Sequence, residues 1–145
     1  MDMRLTSNVY WKAIKKDTGE VISQGEKHNL IVNSGLEYVA KLLNGLNTAP
    51  FAKLAVGTDN TPPLQGDIAL GAQDSIIDAT VDYEADYKAV FYGTFTFTSG
   101  VTLQEAGLFV TDAGVMLNRV TFTDPQNVGS GIDFYLKFTI TVGRT

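Results

Sequence analysis

The sequence predicts a mainly β protein, an antiparallel β-sandwich of jelly-roll type with one short α-helix. In the last long stretch, apolar residues hold every even position from 132 to 142, and the odd positions between them carry Asp, Tyr, Lys or Thr. Side chains alternate between the two faces of a strand, so this stretch predicts a long strand with one buried face. Seven or eight such stretches, separated by turn residues, are typical of a sandwich or barrel. Helices do not alternate with the strands, which argues against a parallel α/β fold.

Size and composition limit the class of protein. The chain has 145 residues, 44% of them hydrophobic and 19% charged, which fits one domain (residues 1–145) with a single substantial core. The net charge of −5 does not indicate the positively charged surface that direct contact with nucleic acid requires. The sequence contains no cysteine for a disulfide or a thiolate metal site. Neither a signal peptide nor an apolar run long enough to span a membrane is recognised, so we expect synthesis in a cytoplasm and no membrane partner.

The N-terminal part predicts a β-hairpin. It comprises residues 1–28, with strands at Val9–Lys15 and Val21–His28 around the turn Asp17–Glu20. Its many polar residues suggest a place at a sheet edge or an oligomer contact. Tyr10 and Trp11 fall on opposite faces, so one should enter the core and the other should be free to meet a neighbour. Trp11 is therefore a candidate interface residue.

A helix is predicted at about residues 34–44. Ser34, followed three residues later by Glu37, has the spacing of a capping box. Gly45 stands where a left-handed residue ends a helix. The apolar residues with helical spacing predict one buried stripe, formed by Leu36, Val39, Ala40 and Leu43.

The next segment combines a short strand with a long loop. Phe51–Val56 reads as a strand, and Gly57 after it allows a positive φ or a close approach of another backbone. Pro62 and Pro63 interrupt regular structure, and residues 64–73 have weak periodicity. Loops of this length are usually functional or ordered by a partner, so this is the first candidate for an intersubunit contact.

The second half is read as further strands and turns. Strands are expected at residues 75–84, 88–98, 108–111 and 115–122, turns near Asp86 and at residues 112–114, and irregular structure at residues 101–107 and 123–131.

The order of these signals resembles a group of small structural proteins of tailed bacteriophages, described as tail-fibre, minor structural or capsid-associated proteins. The likeness covers about residues 28 to 142. It is carried by the order and spacing of several stretches: Asn29-Leu30-Ile31-Val32-Asn33-Ser34-Gly35-Leu36, Leu42-Leu43-Asn44-Gly45, Leu54-Ala55-Val56-Gly57-Thr58, Gly93-Thr94-Phe95-Thr96-Phe97, Leu103-Gln104-Glu105-Ala106-Gly107-Leu108-Phe109, Met116-Leu117-Asn118-Arg119-Val120-Thr121-Phe122 and Phe138-Thr139-Ile140-Thr141-Val142. The resemblance implies a component of the virion.

Three residues in these stretches have a predicted structural role. The small residues around Gly107 should let the chain pass tightly under a neighbouring segment. Glu105 should cap an exposed backbone end or form an ion pair with Arg119.

Candidates for catalysis and metal binding are weak. His28 is the only histidine, and no nucleophile-elbow sequence lies near it. An acidic series offers oxygen ligands of the kind that Ca²⁺ prefers, but without a glycine-pinned loop a solvated strand face is the better interpretation. This series consists of Asp74, Asp78, Asp82, Glu84 and Asp86. We therefore predict no catalytic residue, cofactor or metal.

The aromatic residues suggest an interface. Most phenylalanines fall on the inward alternation and are assigned to the core: Phe91, Phe95, Phe97, Phe134 and Phe138. Tyr92 and Tyr135 fall on the second faces of long strands, and Tyr83 and Tyr87 are not assigned to the core either. Exposed aromatic residues mark subunit contacts, which we favour here over carbohydrate binding.

These observations and the resemblance lead to one preferred function and two alternatives. The preferred one is a non-enzymatic virion protein, made in the host bacterial cytoplasm, that decorates the capsid as a homo-oligomer, with a trimer favoured. Other capsid or tail proteins would be its partners. The first alternative is a tail or collar module that recognises a host surface glycan. The second is an enzyme such as a glycan depolymerase, which requires a pair of carboxylates that the sequence does not single out.

Overall fold

The computed structural model describes residues 3–112 and 114–144, and strands account for 62% of these residues, which confirms the mainly β class. The described residues form nine strands and one helix. Their bounds are β1 Met3–Lys15, β2 Val21–Ile31, α1 Asn33–Leu43, β3 Phe51–Gly57, β4 Gln73–Asp78, β5 Thr80–Glu84, β6 Lys88–Phe95, β7 Val101–Val110, β8 Met116–Val128 and β9 Ile132–Arg144.

The strands form one antiparallel sheet that is nearly closed into a barrel. The strand order is β4-β3-β7-β8-β2-β1-β9-β6-β5. The sheet folds at β2, which pairs with β1 along most of its length and with β8 only at Leu30 and Ile31. The two edge strands, β4 and β5, follow each other in the chain and are joined by Ala79. The gap in the barrel is therefore crossed by the chain itself.

The core lies between the two halves of this sheet, as the alternation of the last strand predicts. Phe134, Leu136 and Phe138 of β9 have no exposed surface. Trp11 of β1 is opposite Leu136 in the sheet and packs on Phe122, with 4.8 Å between ring centroids. The buried apolar residues of β9 are therefore covered by other residues of the same chain.

Two expectations for the N-terminal hairpin are wrong. The hairpin does not lie at an edge, because β1 is paired along its whole length with β9, and β2 is shared by the two halves of the sheet. Trp11 is 2% exposed, so it belongs to the core and cannot be an interface residue. Tyr10, on the other face of β1, is the partly exposed member of the pair.

The helix is where it was predicted, but its cap differs. Val32 is the N-cap, and no side chain caps the helix. The N–H of Asn33 instead donates to the carbonyl of Gln65, 2.8 Å away, so a loop satisfies a donor that the capping box would have served. Glu37 forms an ion pair with Lys41 one turn further on. Gly45 has a φ of +81°, which confirms the left-handed residue after the helix.

Of the predicted buried stripe of the helix, only Val39 packs on the core. Leu36 is 48% and Leu43 is 79% exposed, and Ala40 between them is exposed too. The residues that pack on the core are Tyr38, Val39 and Leu42. Gly35 allows this face of the helix to lie directly on β8, because a Cβ at this position would be 2.7 Å from the Cα of Leu117.

The later strands differ from the prediction in three places. The stretch 75–84 is two strands, since the chain passes from one edge to the other at Ala79. Strand β6 ends at Phe95, three residues early. Residues 101–107 belong to β7 and most of residues 123–131 to β8, and bulges in the pairing of these two strands disturb the alternation. Of the predicted turn 112–114, residue 113 lies outside the described residues.

The long loop between β3 and β4, residues 58–72, has no regular secondary structure and covers the outer face of the β3-β7-β8 half of the sheet. Leu70 is 8% exposed and packs in a small second core. The other buried members of this core are Val32, Ala55, Phe109 and Met116. Gly107 confirms the expected close passage, because a Cβ there would be 3.2 Å from Leu70 Cδ2.

Among the described residues, there is no helix long and apolar enough to cross a membrane.

Candidate functional site

The most highly connected polar cluster joins β7 and β8 to the loop 58–72. Glu105 Oε1 accepts a hydrogen bond from Arg119 Nε at 2.9 Å, and the two side chains are 0% and 3% exposed. The predicted ion pair is therefore present. The same carboxylate accepts backbone N–H groups from Asp59 at 3.1 Å, Gly71 at 2.8 Å and Ala72 at 2.7 Å. One buried carboxylate thus holds both ends of the loop.

Arg119 holds the middle of the loop. Its guanidinium donates to the carbonyl of Thr61 at 2.8 Å and contacts the carboxylates of Asp59 at 3.3 Å and Asp67 at 3.4 Å. Hydrogen bonds from the hydroxyl and the backbone N–H of Thr61 lower the pKa of Asp59, and the positive charge of Arg119 adds to this effect. A buried charge needs such partners, because burying it without them costs several kcal/mol.

This cluster stabilises the loop, and its geometry does not suggest a reaction. The oxygens of Glu105 and the nitrogens of Arg119 are used in bonds within the chain. The loop, which the sequence makes the first candidate for an intersubunit contact, is held in place by bonds to its own chain. The close approach predicted for Gly57 has the same origin, because a Cβ there would contact the Ala72 carbonyl and lie 2.5 Å from Glu105 Oε2.

The acidic series is spread along the two edge strands and the turn after them. Asp78 pairs with Lys53, and Glu84 lies 3.5 Å from Lys137. Within residues 3–112 and 114–144, no group of three or more His, Cys, Asp or Glu side chains is placed to hold a metal ion. His28 is exposed on β2.

A row of tyrosines crosses the outer face of the β1-β9-β6 half. The ring centroid of Tyr135 is 6.2 Å from that of Tyr10 and 6.3 Å from that of Tyr92. Lys12 Nζ lies 5.2 Å from the Tyr135 centroid, a cation–π contact. Burial raises the pKa of Tyr135, and the neighbouring Tyr92, Tyr10 and Glu84 add to this. Tyr92 and Tyr135 are thus half-buried members of one row.

An apolar cleft of about 560 Å³ lies at one end of the inner face of the sheet. The cleft is lined by Met3, Tyr83, Tyr87, Lys88, Ala89, Val142, Gly143 and Arg144. Four of these side chains are large, apolar or aromatic and strongly exposed: Met3 at 73%, Tyr83 at 65%, Tyr87 at 57% and Val142 at 41%. Val81 lies on the same face two residues before Tyr83 and is 56% exposed. Exposed apolar groups gathered in this way mark an interaction site.

Of the predicted interface residues, the structure brings Tyr92 and Tyr135 together, but it does not bring the others to the same surface. Tyr83 lines the cleft, Tyr92 and Tyr135 lie on the opposite face of the sheet, Pro62 and Pro63 lie in the loop 58–72, and Trp11 is in the core. Met3, Tyr87 and Val142 were not among the predicted interface residues. Val142 carried a signal as the last member of the alternating row, and Tyr87 as an aromatic residue that was not assigned to the core.

Strand directions place the cleft and α1 at the same end of the barrel. At this end β1 and β6 begin and β5 and β9 end, since Met3 is paired with Arg144 and Lys88 with Thr141 and Glu84. Strand β2 also ends there and leads through Val32 into α1. We call this the helix end of the barrel.

Comparison with protein-family models, curated proteins and solved structures finds no match.

Proposed function

We propose that this chain is a non-enzymatic structural subunit of a tailed-bacteriophage virion that acts by binding copies of itself and neighbouring virion proteins. The observation that carries the proposal is the apolar cleft, where four strongly exposed apolar or aromatic side chains lie together on the inner face of the sheet. Leaving such a surface in water is unfavourable, so a binding partner that covers it is expected.

The virion assignment rests on the resemblance of residues 28–142 to phage structural proteins. Within it we favour a capsid decoration protein that binds as a homotrimer, and we retain the jelly-roll type of sandwich as part of the same proposal. Binding only to the assembled shell would stabilise the shell, because a ligand shifts an equilibrium toward the state that it binds. The protein would be made in the bacterial cytoplasm and end in the virion.

Two measurements test this proposal. Light scattering of the purified protein over a range of concentrations should give the mass of a trimer. Electron cryo-microscopy of particles that lack the protein, after its addition, should show density at regular capsid positions. Density only at the tail or collar would contradict decoration, and a monomer that binds no part of the particle would contradict the structural role.

The tyrosine row supports a second candidate, a tail or collar module that recognises a host glycan. Aromatic rings and hydrogen-bonding groups occur together there: the hydroxyl of Tyr10 donates to Gln24 at 2.9 Å, and Lys12 lies over Tyr135. A glycan array separates the two candidates. Binding that is lost in Tyr92→Ala and retained in Tyr87→Ala would favour recognition, and the absence of glycan binding would favour assembly.

A further inference from the structure

The last turn of α1 ends in a dipeptide with its own chemistry. Asn44 is the C-cap of the helix, and Gly45 follows it with a φ of +81°. Both residues are exposed, and the sequence contains no other Asn-Gly pair. The side-chain amide of an asparagine has an electrophilic carbon, Cγ, and the backbone nitrogen of the next residue is a nucleophile tethered close to it. Glycine at that next position leaves the nitrogen unhindered, because glycine has no Cβ.

The reaction open to this pair is deamidation. The Gly45 nitrogen loses its proton to hydroxide and bonds to Asn44 Cγ, while the bond from Cγ to Nδ2 breaks and Nδ2 leaves as ammonia after taking a proton from water. Water then opens the five-membered succinimide ring at either of its two carbonyl groups. The products are aspartate, or isoaspartate in which the main chain runs through the former side chain. Water is the only co-reactant, and nothing is oxidised or reduced.

The C-cap conformation holds the pair in an unreactive orientation. Asn44 has a φ of −101° and a ψ of 5°. Ring closure requires the Gly45 nitrogen and Asn44 Cβ to be nearly eclipsed about the Cα–C bond, and at this ψ they are far from eclipsed. The N–H of Gly45 donates to the carbonyl of Leu42 at 3.3 Å, and the N–H of Leu46 donates to Asn44 Oδ1 at 3.1 Å. This turn must therefore open before the ring closes.

The surroundings of the turn favour such an opening. Leu43 is 79% and Leu46 is 72% exposed, and a Cβ added to Gly45 would meet nothing within 4 Å. The bond from the Gly45 N–H, at 3.3 Å, is longer than the usual range of about 2.7–3.2 Å, whereas the bond from the Asn47 N–H to the carbonyl of Lys41 has an ordinary length of 3.0 Å. Exposed helix ends with few buried contacts open at little cost in free energy. We therefore expect this turn to open more readily than the rest of α1.

We propose that Asn44 is a deamidation site, the first asparagine of this chain to be modified, and that opening of the last turn of α1 controls the rate. The neighbouring asparagines lack the same combination. Asn47 precedes Thr48, whose branched side chain hinders the nitrogen. Asn33 precedes Ser34 and lies in the first turn of the helix. The modification does not depend on the proposed virion function.

Deamidation changes the end of the helix in two ways. Either product places a carboxylate at the C-terminus of α1, where the helix dipole is already negative. Isoaspartate also adds a methylene group to the main chain before Gly45. The segment that leads to β3 then shifts, and the hydrogen bond from the Tyr38 hydroxyl to the carbonyl of Ala49, at 2.7 Å, is weakened. A chain thus becomes more negative than its original net charge of −5 as it ages.

Peptide mapping by tandem mass spectrometry tests the site. The purified protein is kept warm at mildly alkaline pH, where more of the backbone nitrogen is deprotonated, and samples are digested at intervals. We expect Asn44 to convert before every other asparagine and to give both aspartate and isoaspartate. Isoaspartate identifies the ring, because direct hydrolysis of the side-chain amide gives aspartate alone.

Two variants separate the pair from its surroundings. Asn44→Gln keeps an amide but would need a six-membered ring, so conversion at this position should be lost. Asn47→Gln, the same change three residues later, should leave the conversion of Asn44 unchanged. Fluorescence of Trp11, which is 2% exposed, verifies that both variants are folded.

A synthetic peptide of residues 40–49 tests the role of opening. The folded protein should react more slowly than the peptide, and urea below the unfolding transition should raise its rate towards that of the peptide. Equal rates in protein and peptide, or a rate that urea does not change, would overturn control by the turn. Conversion of another asparagine first, no conversion at all, or a product without isoaspartate would overturn the site. Each of these results leaves the proposed self-assembly as it stands.

Discussion

Glu105 and Arg119 are diagonal neighbours on two adjacent strands, with Arg119 paired to Gly107 and Glu105 paired to Thr121 in the β7–β8 ladder. Their side chains meet on the outer face of the sheet at 2.9 Å and are buried by the loop 58–72. The pair therefore acts as an anchor for fifteen residues that have no strand or helix of their own.

Glu105→Gln should destabilise the protein strongly. The carboxylate accepts four hydrogen bonds, whereas an amide offers one oxygen and directs its NH₂ group at the remaining donors. Breaking a buried ion pair on one side typically costs about 3–5 kcal/mol. Urea unfolding monitored by the fluorescence of the single, buried tryptophan Trp11 measures the loss.

The matched control is Glu20→Gln. Glu20 pairs with Lys15 at 3.8 Å, and both side chains are about half exposed. Exposed pairs contribute at most about 1 kcal/mol, so this change should have little effect. Equal losses for the two variants would show that the buried pair is no more important than a surface one.

Gly57→Ala should lower the free energy of unfolding by about 1–3 kcal/mol, the usual range for overpacking. The new methyl group would contact the Ala72 carbonyl and Glu105 Oε2, and neither can move without loosening the loop. Gly66→Ala is the control, because a Cβ there meets nothing within 4 Å. Hydrogen exchange of the Ala72 amide should be faster in the first variant and unchanged in the second.

Asp59 should make the stability of the loop sensitive to acid. Its pKa in the folded state lies below the ordinary value of 3.8, mainly because of the hydrogen bonds from Thr61. A lowered pKa contributes stability above the unfolded value, and this contribution is lost as the pH falls through the folded value. Asp59→Asn should therefore be less stable than the wild type at neutral pH, and the difference should shrink in strong acid. A difference that is constant with pH would contradict this assignment.

Tyr135 should ionise at a higher pH in the folded than in the unfolded protein. Burial raises its pKa above the ordinary value of 10.0, and the nearby Tyr92, Tyr10 and Glu84 act in the same direction. The neutral form is favoured by folding, so this contribution is present below pH 10.0 and is lost as the pH rises through the folded pKa. The difference in tyrosinate absorbance between wild type and Tyr135→Phe gives the titration of this one residue. The same difference in urea should titrate lower, and coincident curves would refute the prediction.

The fold class could be predicted because much of it depends on local alternation. The row from Phe134 to Ile140 is buried on one face, as its pattern requires, and Gly45 ends the helix as its backbone freedom allows. Local sequence patterns gave the wrong structure for residues 101–107. There Glu105 and Gly107 suggest a loop, but both belong to a strand whose outer face is covered by residues 58–72. A single sequence does not show which distant segment covers a strand.

The candidate surfaces were predicted only in part for a related reason. The helical pattern predicted one buried stripe of Leu36, Val39, Ala40 and Leu43, but it does not show which face of the helix the rest of the chain covers, and only Val39 packs on the core. The cleft depends on the pairing of β1 with β9 and of β6 with β5, which brings Met3, Tyr83 and Val142 together from distant parts of the chain. Tyr83 was selected, while Met3 has no neighbours in sequence that indicate its position.

The pairing of β1 with β9 determines when folding can be completed. Strand β1 leaves the ribosome before the other described strands, and its partner from Ile132 to Arg144 is made more than a hundred residues later. Until then Val9, Trp11 and Ala13 lack one of their two neighbouring strands. Contacts so distant in sequence slow folding, because a long loop must close before they form. The side of β1 that pairs with β9 therefore stays open during synthesis, and the final barrel forms only after β9 has been synthesised.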